Sequence, residues 1–100
     1  MGIFRKNASI ENYKEFKRVF AVIKNISKQP TTQEVDMAAG FLFGVTEEKR
    51  RQRKITAEQK AALEEMIKSV WKERREELEN EDILEEQLAE QAEEFFKSQL

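Results

Sequence analysis

The chain contains no cysteine and no histidine. Without cysteine there is no disulfide staple and no thiolate chemistry, a composition that agrees with a reducing compartment. Without histidine, the usual proton shuttle near neutral pH is missing, and zinc loses both of its preferred ligands. Glycine occurs three times and proline once. Gly2, Gly40 and Gly44 cannot build a phosphate-cradling loop. Ser9, Ser27, Ser69 and Ser98 have no nucleophile-elbow surroundings, and there is no EF-hand loop. No apolar run reaches the length of a bilayer span, and no signal-peptide pattern is present. Met1-Gly2-Ile3-Phe4-Arg5-Lys6 opens like a myristoylation signal, but Lys6 stands where Ser or Thr is expected. The expectation is a cytoplasmic protein with no enzymatic activity, no cofactor, no metal and no membrane partner. The many carboxylates do not alter this, because a general acid needs surroundings that move its pKa and abundance on polar faces supplies none.

What is present is charge. Of 100 residues, 38% are charged and 39% hydrophobic, against averages of about 25% and about 45–50%. That balance suits exposed helices around a thin core, or a helical assembly whose core a partner completes. The length fits one domain, residues 1–100. The net charge of −2 conceals a split. Residues 1–54 carry 12 basic and 6 acidic side chains, net +6, and residues 55–100 carry 6 basic and 14 acidic, net −8. Such halves can attract each other within one fold or across a dimer, or offer an anion site at one end.

Residues 1–8 read as a flexible arm, with Ile3 and Phe4 able to tuck onto a core. Ser9 is a suitable N-cap, and Ile10, Tyr13, Phe16, Phe20 and Ile23 recur at helical spacing. A first amphipathic helix is predicted over 9–27, ended by Pro30. Thr31, with Glu34 three residues on, can form a capping box that restarts a helix. Its inner stripe is Val35, Ala38, Ala39 and Leu42, widened by Phe41, Phe43 and Val45. The small run Ala38-Ala39-Gly40 lets a neighbour approach closely, and Gly44 is the expected terminator. Residues 9–45 thus form an apolar helical half.

From Val45 onward there is neither glycine nor proline. Residues 46–55 read as a basic connector between two cap-competent residues, Thr46 and Thr56, the latter with Gln59 in capping-box position. Residues 56–100 form an acidic helical half. Leu63, Met66, Ile67, Val70 and Trp71 make a clear stripe, which lapses until Ile83. Asn80 or Asp82 can cap a new helix there, so a third helix over 56–79 and a fourth over 81–98 are predicted. The fourth is expected to bury Ile83, Leu84, Leu88, Ala92, Phe95 and Phe96. The predicted fold is all-α: a small four-helix bundle or helical hairpin, with two short N-terminal helices and two longer charged C-terminal ones.

Lys49, Arg50, Arg51, Arg53 and Lys54 form the densest cationic cluster and are candidates for nucleic-acid or anion binding. Phe43-Gly44-Val45-Thr46 resembles the turn of a helix-turn-helix, in which the basic run would lie on the recognition helix. The second half departs from that motif: the apolar positions six and nine after the glycine are Arg50 and Arg53, and Gly40 stands where Ala is usual. Arg50-Arg51-Gln52-Arg53 followed by Ile55-Thr56, Gln59, Leu63-Glu64 and Ile67 resembles the arm and first helix of a homeodomain. The spacing is one residue short, and the Trp-Phe-x-Asn signature has no counterpart after Trp71, so the match is read as chance. No aromatic interleaves with the basic run, as a single-strand stacking platform requires.

Asp82, Glu86, Glu90 and Glu94 recur every four residues. Each such like-charge pair disfavours an isolated helix by about 0.2–0.5 kcal/mol, so this acidic face is a candidate partner-binding surface awaiting cations. The basic cluster is one source of them, in cis or from a second subunit. Leu84, Leu88, Phe95 and Phe96 are candidate apolar interface residues. The expected function is a non-enzymatic helical interaction or regulatory module that binds a protein partner or itself. Small, charged chains of this kind are common among phage and plasmid accessory factors. The alternative is a nucleic-acid-binding protein using residues 49–54.

Overall fold

The computed structural model describes residues 10–100, whose regular structure is entirely helical. The expected arm with Ile3 and Phe4, and the expected Ser9 cap, lie outside the described residues. Helix α1 spans Ile10–Ile23 and tightens into a 3-10 segment, Lys24–Lys28; α2 spans Thr32–Arg51 and α3 spans Ala57–Gln99. Among the described residues there are therefore three α-helices, not four.

The face that α1 buries differs from the predicted one. Asn12, Val19, Ile23 and then Ile26 point inward, whereas Ile10, Tyr13 and Phe20 are exposed and Phe16 is half-buried. Two stripes overlap on this helix, and the thin core takes the compact β-branched one. Phe16 and Phe20 pack against each other outside it, ring centroids 6.1 Å apart. Gln29 is extended (φ −72°, ψ 136°) ahead of Pro30, as the ring of a following proline demands. Thr31 then caps α2, its hydroxyl accepting the Glu34 amide at 3.1 Å.

Helix α2 runs through Gly44 rather than stopping there. Its buried residues Val35, Ala39, Leu42 and Thr46 continue at helical spacing across the glycine. Packing on both sides outweighs the roughly 1 kcal/mol that an interior glycine costs a helix. A Cβ at Gly40 or Gly44 would meet nothing within 4 Å, so the close approach rests on Ala39, not on Gly40. Thr46 is no cap. It is fully buried, and its hydroxyl donates to the Leu42 carbonyl at 2.8 Å. The would-be helix-turn-helix turn, Phe43–Thr46, is continuous helix.

The helix ends seven residues after Gly44, in a Schellman turn built from the basic cluster. The Lys54 amide donates to the Lys49 carbonyl at 2.8 Å and the Arg53 amide to the Arg50 carbonyl at 2.9 Å. Arg53 takes the left-handed conformation (φ 59°) that this motif usually gives to glycine. Ile55 drops into the core behind the turn. The predicted connector is thus helix up to Arg51 and a tight turn after it.

Thr56 and Gln59 form the expected reciprocal capping box, with bonds of 3.0 and 2.9 Å. From there α3 runs 43 residues without interruption, about 64 Å at 1.5 Å per residue. Asn80 and Asp82 cap nothing. Their weak helix propensities, a few tenths of a kcal/mol each, do not break a segment free of glycine and proline. Leu63 and Ile67 are fully buried against α1 and α2, and Leu78 is the last buried residue. Beyond it the helix continues alone. The molecule measures 79 × 19 × 15 Å with a radius of gyration of 20.7 Å, whereas a compact chain of this length has about 13 Å. A three-helix head with a projecting helical stem replaces the expected bundle.

Candidate interaction face

The two charged features of the sequence do not meet. Asp82 stands 25 residues beyond Ala57, so about 38 Å of helix separates the acidic run from the basic turn. Lys49 is instead held by Glu15 of α1 at 2.6 Å, with both side chains largely buried. That bond keeps the Glu15 carboxyl below its ordinary pKa, against the opposing effect of burial. Arg50 lies against the turn and donates to the Ile55 carbonyl at 3.4 Å. Arg51 makes an exposed pair with Glu48, also at 3.4 Å. The Arg53 carbonyl accepts from the buried Asn12 amide at 3.4 Å. Much of the cluster is therefore engaged in shaping and fastening the hairpin turn. The side chains of Arg51, Arg53 and Lys54 remain exposed.

At the other end of the head, a polar clamp fastens α2 to α3. Asp36 accepts the Trp71 indole N–H at 2.7 Å and an Arg75 guanidinium N–H at 2.8 Å to each oxygen. The Trp71 bond, with Arg75 beside it, holds the Asp36 carboxyl below its usual range, and Asp36 in turn raises the Arg75 pKa. Phe43 meets the Trp71 ring edge-on at 6.2 Å. Arg74 adds a 3.0 Å bond to the Gln29 carbonyl. Sequence patterns do not announce this clamp, because Asp36 and Trp71 are 35 residues apart.

Past the clamp, α3 presents two opposite faces. At 3.6 residues per turn, Leu84, Leu88, Ala92 and Phe95 fall within about 80° of arc, with Phe96 at its edge. Leu63, Ile67, Val70 and Leu78 occupy the same side, so this stripe prolongs the inner face of the head. It is uncovered: Leu84 and Leu88 are each 55% exposed, Phe95 67% and Phe96 71%. Ile83, also exposed, lies off the stripe. Among the described residues the burial expected for these side chains is not met, because α1 and α2 end at the level of Leu78.

Asp82, Glu86, Glu90 and Glu94 lie on the reverse of the stem. Among the described residues none of the four forms a salt bridge; the stem's ion pair is Lys97 with Glu93 at 3.4 Å. The predicted acidic and apolar partner surfaces are therefore back to back. Gln87, Gln91 and Ser98 border the apolar stripe on one side, and Ala89 and Glu85 on the other.

A smaller apolar patch sits on the head, where Val22, Met37 and Phe41 are exposed around Ala38. Among the described residues no group of three or more metal-ligating side chains converges, and no helix is long and apolar enough to cross a membrane. Compared with protein-family models, curated proteins and solved structures, the chain matches none.

Proposed function

We propose that this chain is a non-enzymatic, cytoplasmic helical interaction module whose docking surface is the projecting half of α3. The observation that carries this reading is the apolar stripe Leu84, Leu88, Phe95 and Phe96, continuous with the head's core face yet exposed over about three and a half turns. Most helical stability in proteins comes from packing of an apolar face, which the stem lacks, and the like-charge run on its reverse weakens it further. Packing of the stripe against another helix supplies what the stem lacks, while its carboxylates stay in water and favour solubility.

Site-specific photocross-linking tests the reading. Benzoyl-phenylalanine placed at Leu88 in living cells should give a covalent adduct, to another protein or to the chain itself. The same probe at Glu86 should give much less. Equal and negligible yields from both positions would remove the apolar face as a docking surface.

A second reading is nucleic-acid binding through the hairpin turn, supported by the exposed side chains of Arg51, Arg53 and Lys54. Three phosphate contacts give a log–log salt slope of about −3. Neutralising the three together should flatten it, and absence of binding at low salt would end this alternative.

A further inference from the structure

We infer that the occupant of the exposed stripe is a second copy of this chain, lying antiparallel, so that two stems cover each other. The inference rests on the reading of that face as a docking surface and adds the identity and direction of what docks.

Shape comes first. The stripe prolongs the side of α3 that α1 and α2 cover up to Leu78, and its arc of about 80° is the width of a two-helix seam, narrower than a general core face. It begins where the head ends and runs about 30 Å over residues 80–99. A partner stem running parallel would carry its own α1 and α2 on the facing side. The two heads would then collide, since helices at the stripe must sit about 8–10 Å apart. An antiparallel stem brings no such conflict. Its tip approaches the 3-10 segment and the start of α2, and its own head lies beyond the far end. The stripe is also as long as the stem, so a two-fold pair covers both stripes at once and leaves no open end.

Charge agrees. A self-paired helix must keep like charges out of its seam. The run Asp82, Glu86, Glu90 and Glu94 lies on the reverse, and Gln87, Gln91, Ser98 and Ala89 provide mostly neutral borders. The carboxylates on the stripe side, Glu81 and Glu85, sit at its near end. Parallel pairing would set each against its own copy, whereas antiparallel pairing sets them opposite Phe95, Phe96 and Gln99.

Sedimentation velocity of the full chain across a wide concentration range, with a spin label at Ser98→Cys, tests this. The chain has no native cysteine to confuse the labelling. The expected result is a reversible dimer with a label separation of about 25 Å, set by helix rise on either side of a centre near Glu90. Leu88→Asp should weaken the dimer at least about tenfold. Glu86→Lys should leave it intact, and helical content from circular dichroism confirms that both variants fold. A short label separation would overturn the antiparallel direction. A strict monomer at every concentration would overturn self-pairing; if residue 88 still cross-links to another protein, the docking surface itself stands. A strict monomer whose residues 80–99 exchange amide hydrogens freely, with no cross-link from residue 88, would remove both.

Discussion

Trp71 donates its indole N–H to the Asp36 carboxylate at 2.7 Å, closing a clamp less than two turns before Leu78, the last buried residue of α3. Arg75 completes it from the next turn. The head is thus fastened at both ends by an acid of an N-terminal helix: Glu15 to Lys49 at the turn, and Asp36 to Trp71 and Arg75 at the exit.

Removing the clamp should loosen the head without touching its apolar core. Asp36→Ala is expected to lower the denaturation midpoint more than Asp36→Asn, because the amide keeps one acceptor for Trp71. Trp71 is the sole tryptophan, so its emission reports both changes. Unchanged emission in Asp36→Ala would mean that the indole bond does not persist in solution.

Acid should weaken the same two fastenings. Glu15 and Asp36 both have folded-state pKa values lowered from ordinary ones of 4.5 and 3.8. Between the folded and unfolded values the unfolded chain binds more protons, so stability falls as pH falls. The contribution is complete above the unfolded values and is lost as pH drops through the lowered ones. Urea titrations from pH 6 to pH 3 should show this decline, and Glu15→Gln with Asp36→Asn should flatten it.

Arg53→Gly should stabilise the protein by about 0.5–1 kcal/mol, because the left-handed conformation costs a side chain-bearing residue roughly that much more than glycine. Thermal or chemical unfolding measures it. A loss of stability instead would mean that the Arg53 side chain has contacts that outweigh its strain.

Ile67→Ala should cost about 2–5 kcal/mol, the usual range for emptying a packed site. Leu88→Ala should change the unfolding of the dilute chain by less than about 0.5 kcal/mol, as expected for an exposed position. Measured side by side, the two variants separate the head's core from the stem's stripe, although both positions lie on the same side of one helix.

What the residues disclosed in advance was mostly local. The cap at Thr31, the capping box at Thr56 and the halt before Pro30 each depend on a few neighbouring residues. The stripe Leu63–Ile67–Val70 has a single phase and was equally readable. On α1, two stripes share the helix, and periodicity alone does not say whether Phe20 or Val19 turns inward. At Gly44, local preference was overruled by contacts with residues distant in sequence. The thinning of apolar residues after Trp71 looked like the end of a helix, but it marks the end of that helix's company. Glu15–Lys49 and Asp36–Arg75 span 34 and 39 residues, beyond the reach of any local pattern. The apolar and acidic stem residues were identifiable, and their opposition follows from the helical repeat once the break at Asn80 is gone.

The unbroken course of α3 makes length and phase separately adjustable. Seven residues inserted after Asn80 would push the tip out by about 10 Å yet turn it by only about 20°. Two inserted residues would lengthen the stem by about 3 Å but swing the tip by roughly 200°, bringing Asp82 and Glu86 round to where Leu84 and Leu88 now stand. The stripe's alignment with the head is therefore indifferent to distance and sensitive to angle, and heptad-sized insertions are the ones that preserve it.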